Sequence, residues 1–268
     1  MKREMKKLER ANNHTFVICA YKESEFLEDC IQSLMNQTVK TNIIISTSTP
    51  NSYINNMAEK YKVPVFINKG KSGIGEDWNF GVSCTTTPLV TIAHQDDTYN
   101  KNYVEEIEKL YEKYSDFSIA FGNYRELKNN ETIPITVNLK IKRFLLKSLL
   151  KNPYKKGNKM KTVKYGNAIC CPAVTLNIDV VGKEPFITGY KSNLDWYTWY
   201  KFALLPNPFA YVDKELMQHR IHEESTTSSL IENNVRLDED YDMFGKFGPK
   251  PIAKFIMRFY KKAVKTNG

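Results

Sequence analysis

The chain reads as an α/β protein with a mostly parallel sheet flanked by helices, and two patterns in its first third predict this. Short apolar runs alternate with segments whose apolar residues recur at helical spacing, the βαβ order that builds a parallel sheet with right-handed crossovers. The runs are apolar throughout rather than at every second residue, as strands covered on both faces are. In addition, each run ends in a polar loop, which in an open sheet lies at the carboxyl edge where ligands bind.

Residues 15–20 (TFVICA) form the first strand, and Phe26, Leu27, Cys30, Ile31 and Leu34 after Ser24 define the first helical face. Residues 42–47 (NIIIST) are the second strand, 52–61 a helix, 63–67 the third strand, 77–84 a helix and 89–93 the fourth strand. The loops gathered at one edge are then Tyr21-Lys22-Glu23, Ser46-Thr47-Ser48, the glycine-containing 68–73 segment and His94-Gln95-Asp96-Asp97.

Beyond this the pattern loosens. Residues 103–114 read as a helix, 117–121 as a strand, 140–150 (KIKRFLLKSLL) as a basic, apolar helix and 153–164 as a lysine-rich mobile loop. An apolar stretch at 168–176, an aromatic helix around 195–200 (DWYTWY), a strand at 210–212 and a basic tail at 250–265 complete the reading. The predicted division is 1–127, 128–230 and a basic helical tail at 231–268.

Charged residues at 26% and hydrophobic residues at 41% are the balance of a folded protein, not a disordered one. The formal net charge of +9 favours an anionic partner without choosing among nucleotide, nucleic acid and membrane. Five cysteines without CxxC spacing suggest neither a disulfide framework nor a zinc knuckle, so a reducing compartment is expected. The charged N-terminal segment leads to no apolar core of a signal, and no run of about 18 apolar residues occurs. The expected location is the cytoplasm.

Asp96 and Asp97 place two like charges where an apolar strand runs out, which calls for a cation, hydrogen bonds or water. A hard divalent cation, Mg²⁺ or Mn²⁺, is one answer, since it takes carboxylate oxygens and completes its shell with phosphate and water. A strand-end turn or a helix N-cap is the other. His219 and His222 make an HxxH pair, which without further soft ligands does not define a zinc site.

Taken in order, Cys19-Ala20-Tyr21-Lys22-Glu23, Ser46-Thr47-Ser48-Thr49, Asn68-Lys69-Gly70, Asp77-Trp78-Asn79, His94-Gln95-Asp96-Asp97, Leu194-Asp195-Trp196 and Arg220-Ile221-His222 resemble the motif series of a family 2 glycosyltransferase. The resemblance spans about residues 15–229 and implies a GT-A, Rossmann-like fold with a C-terminal acceptor-side region. It implies a donor site in which Ala20, Tyr21 and Glu23 meet the base and ribose of a nucleotide-sugar. Ser46 and Thr47 stand where the family commonly has an aspartate, and their hydroxyls are expected at ribose or base. Lys71 and Arg220 are expected near the diphosphate, and Asp77 at the nucleotide or sugar, with helix N-capping as its other explanation.

For the metal the resemblance implies Asp96 bridging the ion to the diphosphate, Asp97 as a second ligand or turned to the sugar, and His222 approaching when a loop at 223–229 closes. His94 occupies the motif's first acidic position, which predicts a thinner metal shell. Asp195 is the expected general base, deprotonating the acceptor hydroxyl in inverting transfer, in an aromatic setting that raises its pKa and suits sugar faces. Its bland reading is a helix N-cap.

The expected partners are a nucleotide-sugar donor, a glycan or lipid-linked acceptor and an anionic membrane touched by the 140–164 and 250–265 segments, with no nucleic acid. A UDP-sugar and a role in cell-surface polysaccharide synthesis are favoured. Two competing readings are a basic nucleic-acid-binding protein, which leaves the acid pair unexplained, and a nucleotidyltransferase, for which no glycine-rich phosphate loop opens the chain.

Overall fold

A computed structural model describes residues 13–222, 235–248 and Met257. Its first half follows the predicted order. β1 (His14–Cys19), β2 (Asn42–Thr47), β3 (Val65–Ile67) and β4 (Leu89–His94) run parallel, side by side as β3-β2-β1-β4. The crossovers are α1 (Leu27–Met35), α2 (Ser52–Tyr61) and α3 (Ile74–Ser83). Along β1 the pleat sends Phe16 and Ile18 into one core layer and Val17 into the other, which is why the run carries no polar alternation.

α2 shows how local chemistry places an element: the Asn51 side chain accepts the Ile54 N–H at 2.9 Å as its N-cap, and Lys62 ends it in the left-handed region at φ 54°. α3 begins three residues before the predicted start, after Gly73, so Asp77 lies inside the helix and is not its cap. β3 is shorter than expected, an edge strand with Phe66 and Ile67 exposed.

The second half departs more. After β5 (Thr98–Tyr99) and α4 (Tyr103–Lys113), β6 spans Ile119–Lys128 and turns through Asn129 and Asn130, both at positive φ, into β7 (Glu131–Thr132). Then come α5 (Val137–Leu146), α6 (Ser148–Lys151), α7 (Lys156–Lys164), β8 (Val174–Asn177), α8 (Ile178–Val181), α9 (Leu194–Ala203), β9 (Phe209–Arg220) and α10 (Val235–Gly245). β8 pairs antiparallel with both β4 and β6, β9 lies parallel beside β6, and β5 closes the edge antiparallel to β9.

The lysine-rich 153–164 segment is not a mobile loop. It forms α7, with Lys159, Thr162 and Val163 buried at helical spacing. The Lys159 ammonium donates to the carbonyls of Leu205 and Asn207 and lies 5.6 Å from the Phe209 ring centroid, so a cation stands where periodicity looks for an apolar residue. The predicted 140–150 helix divides at Lys147 into α5 and α6. α10, the described part of the C-terminal segment, carries Asp238, Glu239, Asp240 and Asp242 against one Arg236; the basic 250–265 stretch lies outside the described residues apart from Met257.

β9 is the largest difference. The predicted 210–212 strand is 12 residues long, and its register against β6 slips around Asn123, where Gly122 leaves room for Leu216. The bulge lets the polar end of β9 continue past the apolar core, pairing Gln218 with Thr98 and carrying His219 and Arg220 to the loop after β4.

The tightest helix–sheet approach is at Gly81 of α3, where an added Cβ would stand 2.6 Å from Val17 Cγ1. Gly81→Ala is expected to lower stability by about 1–3 kcal/mol in a denaturant titration; an unchanged or higher midpoint would show that α3 is not held against β1.

Candidate active site

The four predicted loops meet at the carboxyl edge of β1 to β4. The Gln95 amide donates to Tyr21 O and accepts the Tyr21 N–H, both at 3.0 Å, tying the loop after β4 to the loop after β1. The Lys22 N–H donates to Thr49 Oγ1 at 2.6 Å. Ser48 Oγ and Asn68 Nδ2 donate to the two oxygens of Asp77 at 2.8 and 2.7 Å, joining the loops after β2 and β3 to α3. Asp77 is thereby an internal anchor of the crevice wall.

On this rim Tyr21 is 53% exposed and Glu23 is open to solvent, while the Ala20 side chain is buried and its N–H continues the ladder to Ser46 O at 2.9 Å. Lys71 is exposed and pairs with Glu76 at 3.0 Å. Ser46 and Thr47, expected at the ribose, are each only 2% exposed. Ser46 packs beneath Gly81 and Thr47 Oγ1 accepts the Thr49 N–H at 3.0 Å, because the last residues of a central strand face helices, not the crevice. Ser48 and Thr49 are the more exposed hydroxyls at this strand end.

Asp97 is fully buried, and its carboxylate accepts the Arg220 N–H at 2.9 Å and His219 Nδ1 at 3.0 Å. Asp96 accepts His222 Nε2 at 2.8 Å. Burial acts to raise the Asp96 pKa, but the hydrogen bond from His222 and the neighbouring His94 and His219 outweigh it and hold the carboxyl at about 2. For His219 burial acts downward, and the Asp97 and Asp96 charges with the Asp97 hydrogen bond overcome it, lifting the imidazole to about 9.

Arg220 does not reach outward as expected. It is 4% exposed, donates to Asp96 O at 3.0 Å, Asp29 Oδ2 at 3.1 Å and the Asn130 amide oxygen, and lies 4.2 Å from the Phe26 ring centroid. Each of its three guanidinium nitrogens is engaged in bracing the loops, which turns it away from the crevice where a diphosphate is expected.

His94 is part of the acid cluster and no gap in it. One ligand atom each from His94, Asp96 and Asp97 lies within 4.8 Å of the others. Burial lowers the His94 pKa against the pull of Asp97 and Asp96, which favours the neutral imidazole, and its buried Nε2 has no hydrogen-bond partner among the described residues. Neutral imidazole beside two carboxylates is a donor set for a divalent cation, with Mn²⁺ better suited than Mg²⁺ to the nitrogen.

Asp195 lies in the first turn of α9, one residue past the start, so it is not the cap. Asn167 Nδ2 donates to its carboxylate at 2.7 Å. Burial lifts this carboxyl to about 6, only partly offset by the Trp196 N–H, Arg236, Asn167 and Lys142. Its aromatic neighbours Trp196 and Trp199 are core residues, 1% and 0% exposed, with Trp196 Nε1 donating to Val163 O at 2.7 Å, so they form no sugar platform. Burial raises the Cys170 thiol, and the negative charges of Asp97 and Asp195 add to that, which places both carboxylates around one residue.

Sequence reading passed over Glu239. Its carboxylate accepts three successive backbone N–H groups, Lys191 at 2.6 Å and Ser192 and Asn193 at 2.8 Å, and Asp240 accepts Asn193 Nδ2 at 2.7 Å. α10 thus clamps the turn that launches α9 and Asp195. Only the acidity of α10 hinted at this. The 223–229 loop expected to close over the donor lies outside the described residues.

A curled, mostly parallel sheet with an acid pair at its carboxyl edge and a long returning strand is the GT-A arrangement of glycosyltransferases. The fold is similar to that of S. aureus TarS 1–349 in complex with UDP-GlcNAc, with a TM-score of 0.63, 14% identity and coverage of 88% of this chain and 71% of that one. It is similar too to that of the mannosyltransferase PcManGT from Pyrobaculum calidifontis in complex with GDP-Man and Mn²⁺, at TM-score 0.66, 10% identity and 96% and 76% coverage. An uncharacterized glycosyltransferase of Haemophilus influenzae is 22% identical over 220 residues, 79% of this chain and 66% of that protein. Residues 15–178 match the glycosyl transferase family 2 model, and the chain belongs to that family.

Glu239→Ala strands three backbone donors and is expected to cost about 1–3 kcal/mol in chemical denaturation, with kcat falling alongside; Glu239→Gln, which keeps one acceptor oxygen, is expected to lose less. Equal stability of Glu239→Ala and the parent would mean that α10 does not hold the turn.

Proposed function

We propose that this glycosyltransferase moves a sugar from a nucleotide-sugar, a UDP-sugar in first place, to a hydroxyl of a glycan or lipid-linked acceptor with inversion, in building a cell-surface polysaccharide. One observation carries the reading. Two acidic groups of the candidate site are driven apart in pKa by their surroundings, Asp96 to about 2 in the histidine cluster and Asp195 to about 6 by burial. Splitting of this kind separates an always-charged ligand from a group that can take a proton near neutral pH.

In this reading residues 1–127 hold the donor and 128–230 the acceptor. Tyr21 stacks on the base, Glu23 and the Ser48 and Thr49 hydroxyls meet ribose or base, and exposed Lys71 approaches the diphosphate. His94, Asp96 and Asp97 would hold a divalent cation, Mn²⁺ or Mg²⁺, with His222 positioned on Asp96. When bound, such an ion neutralises charge on the departing diphosphate. Asp195, oriented by Asn167, takes the proton of the acceptor hydroxyl as it attacks the anomeric carbon.

Two measurements test this. In the pH profile of kcat/KM the base must be ionised, so activity is expected to rise about tenfold per pH unit below about 6 and to level off above it. Asp195→Asn is expected to lower kcat by about 10²–10⁴-fold and to remove that limb; a limb that survives the substitution assigns it to another group. Thermal unfolding with UDP-, GDP- and dTDP-sugars is expected to show Mn²⁺-dependent protection by one donor class, lost in Asp96→Ala and weakened in His94→Ala. Protection by oligonucleotides that persists in Asp96→Ala would favour nucleic-acid binding instead.

A further inference from the structure

The charge surplus of the chain is not spread over its surface. Residues 137–165, which contain α5, α6 and α7, hold ten lysines and arginines and no carboxylate, so the rest of the chain sums to −1 against a total of +9. Yet these helices also expose large apolar side chains. Val137, Ile141 and Phe144 are 72%, 55% and 75% exposed, and the i, i+4, i+7 spacing puts them in one stripe along α5. Leu150, Tyr154 and Tyr165 continue the pattern at 52%, 44% and 60%. Lys140 and Lys147 lie along one flank of the stripe, and Lys151, Lys155, Lys161 and Lys164 are exposed further along the chain, from α6 to the end of α7.

This face is built from the inside. Leu139, Leu146, Leu149 and Val163 anchor the helices in the core, and Arg143 donates to Tyr124 O at 2.7 Å and pairs with Glu215 at 2.8 Å. Of the outward residues, Lys147 pairs with Asp213 at 3.3 Å and Tyr154 donates to Asp116 at 2.9 Å, while the Val137, Ile141 and Phe144 side chains are left mostly to solvent. Lys142, on the inner side of α5, donates to Tyr124 OH at 3.3 Å, and the Tyr124 ring centroid is 6.2 Å from that of His219. The stripe thus covers the outer side of a helix whose inner side backs the candidate active site.

We propose that α5, α6 and α7 form a docking surface for an anionic lipid bilayer, with Val137, Ile141 and Phe144 inserted at the boundary between headgroups and acyl chains and the surrounding lysines on the lipid phosphates. Charge complementarity selects this occupant. A second copy of the chain would bring two strongly cationic faces together, and nucleic acid would satisfy the lysines while leaving Val137, Ile141 and Phe144 in water. A bilayer takes both components, apolar and cationic, at the depths an interfacial helix offers them. The surface stands apart from donor chemistry, and it would hold the crevice near the headgroup plane, where a lipid-linked acceptor presents its hydroxyl.

The test is co-sedimentation of the full 268-residue chain with vesicles of phosphatidylcholine alone and with about one third phosphatidylglycerol. Binding is expected only to the anionic vesicles and is expected to fall in about 0.5 M salt, where screening is strong. Ile141→Glu combined with Phe144→Glu is expected to reduce vesicle affinity by at least about tenfold. Phe144→Ser, which adds no charge, is expected to lose part of it, and both variants should keep the parent melting temperature because these side chains are exposed. No anionic-vesicle binding by the parent, or equal binding by parent and double variant, overturns the proposal. So does a parent dimer in sedimentation velocity that Phe144→Ser abolishes, which would assign the face to a second copy, or single-stranded oligonucleotide binding that the Phe144 variants lose, which would assign it to nucleic acid.

Discussion

The structure turns on the buried carboxylate of Asp97. A charge without solvent must be matched by hydrogen bonds, and here the match is drawn from a strand more than a hundred residues away, through the Arg220 N–H and His219. Satisfying that carboxylate docks the end of β9 onto the loop after β4. Once β9 is there, β5 pairs with it, Arg220 ties together Asp29, Asn130 and the Asp96 carbonyl, and His222 falls against Asp96. The acid pair is therefore where the parallel half of the sheet and the returning half are joined. Asp97 is fully buried with its bonds inside the protein, and Asp96, held by His222, keeps 19% of its side chain exposed in the same turn.

The same physics separates the remaining carboxylates. Asp96 is surrounded by three imidazoles, whose hydrogen bond and charge overcome its desolvation. Asp195 has two neutral donors, Asn167 and the Trp196 N–H, and the charges of Arg236 and Lys142, but desolvation outweighs them together and its pKa rises. Glu239 keeps that environment in place by capping the backbone that leads into α9. A carboxyl held at about 2 and one lifted to about 6 thus arise from one residue chemistry, and the difference lies in what packs around each.

The two halves of the molecule meet solvent differently. The β1 to β4 half offers a rim of single polar side chains on short loops, held to each other by Gln95, Ser48 and Asn68. The α5 to α7 side offers a cationic and apolar surface whose inner residues are fully engaged in the core.

What the sequence determined by itself was local. The first four strands, their crossovers and the polar edge were legible because continuous apolar runs and helical spacing are decided within a dozen residues. Asp96, Asp97 and Asp195 stood out in the sequence because carboxylates beside apolar runs are costly unless they are paired or hydrogen-bonded. Tertiary structure decided the rest. It turned Arg220 inward, buried Ser46 under α3 and Thr47 against the turn at Thr49, and put His94 into the acid cluster, since each outcome depends on which element packs overhead. It also folded the lysines of 156–164 into α7 by turning one ammonium onto backbone carbonyls, and it extended β9 through polar residues that have no apolar signature. Contacts such as Asp97 with His219 span 122 residues, and no pattern within a short window can carry the energy of a bond closed at that distance.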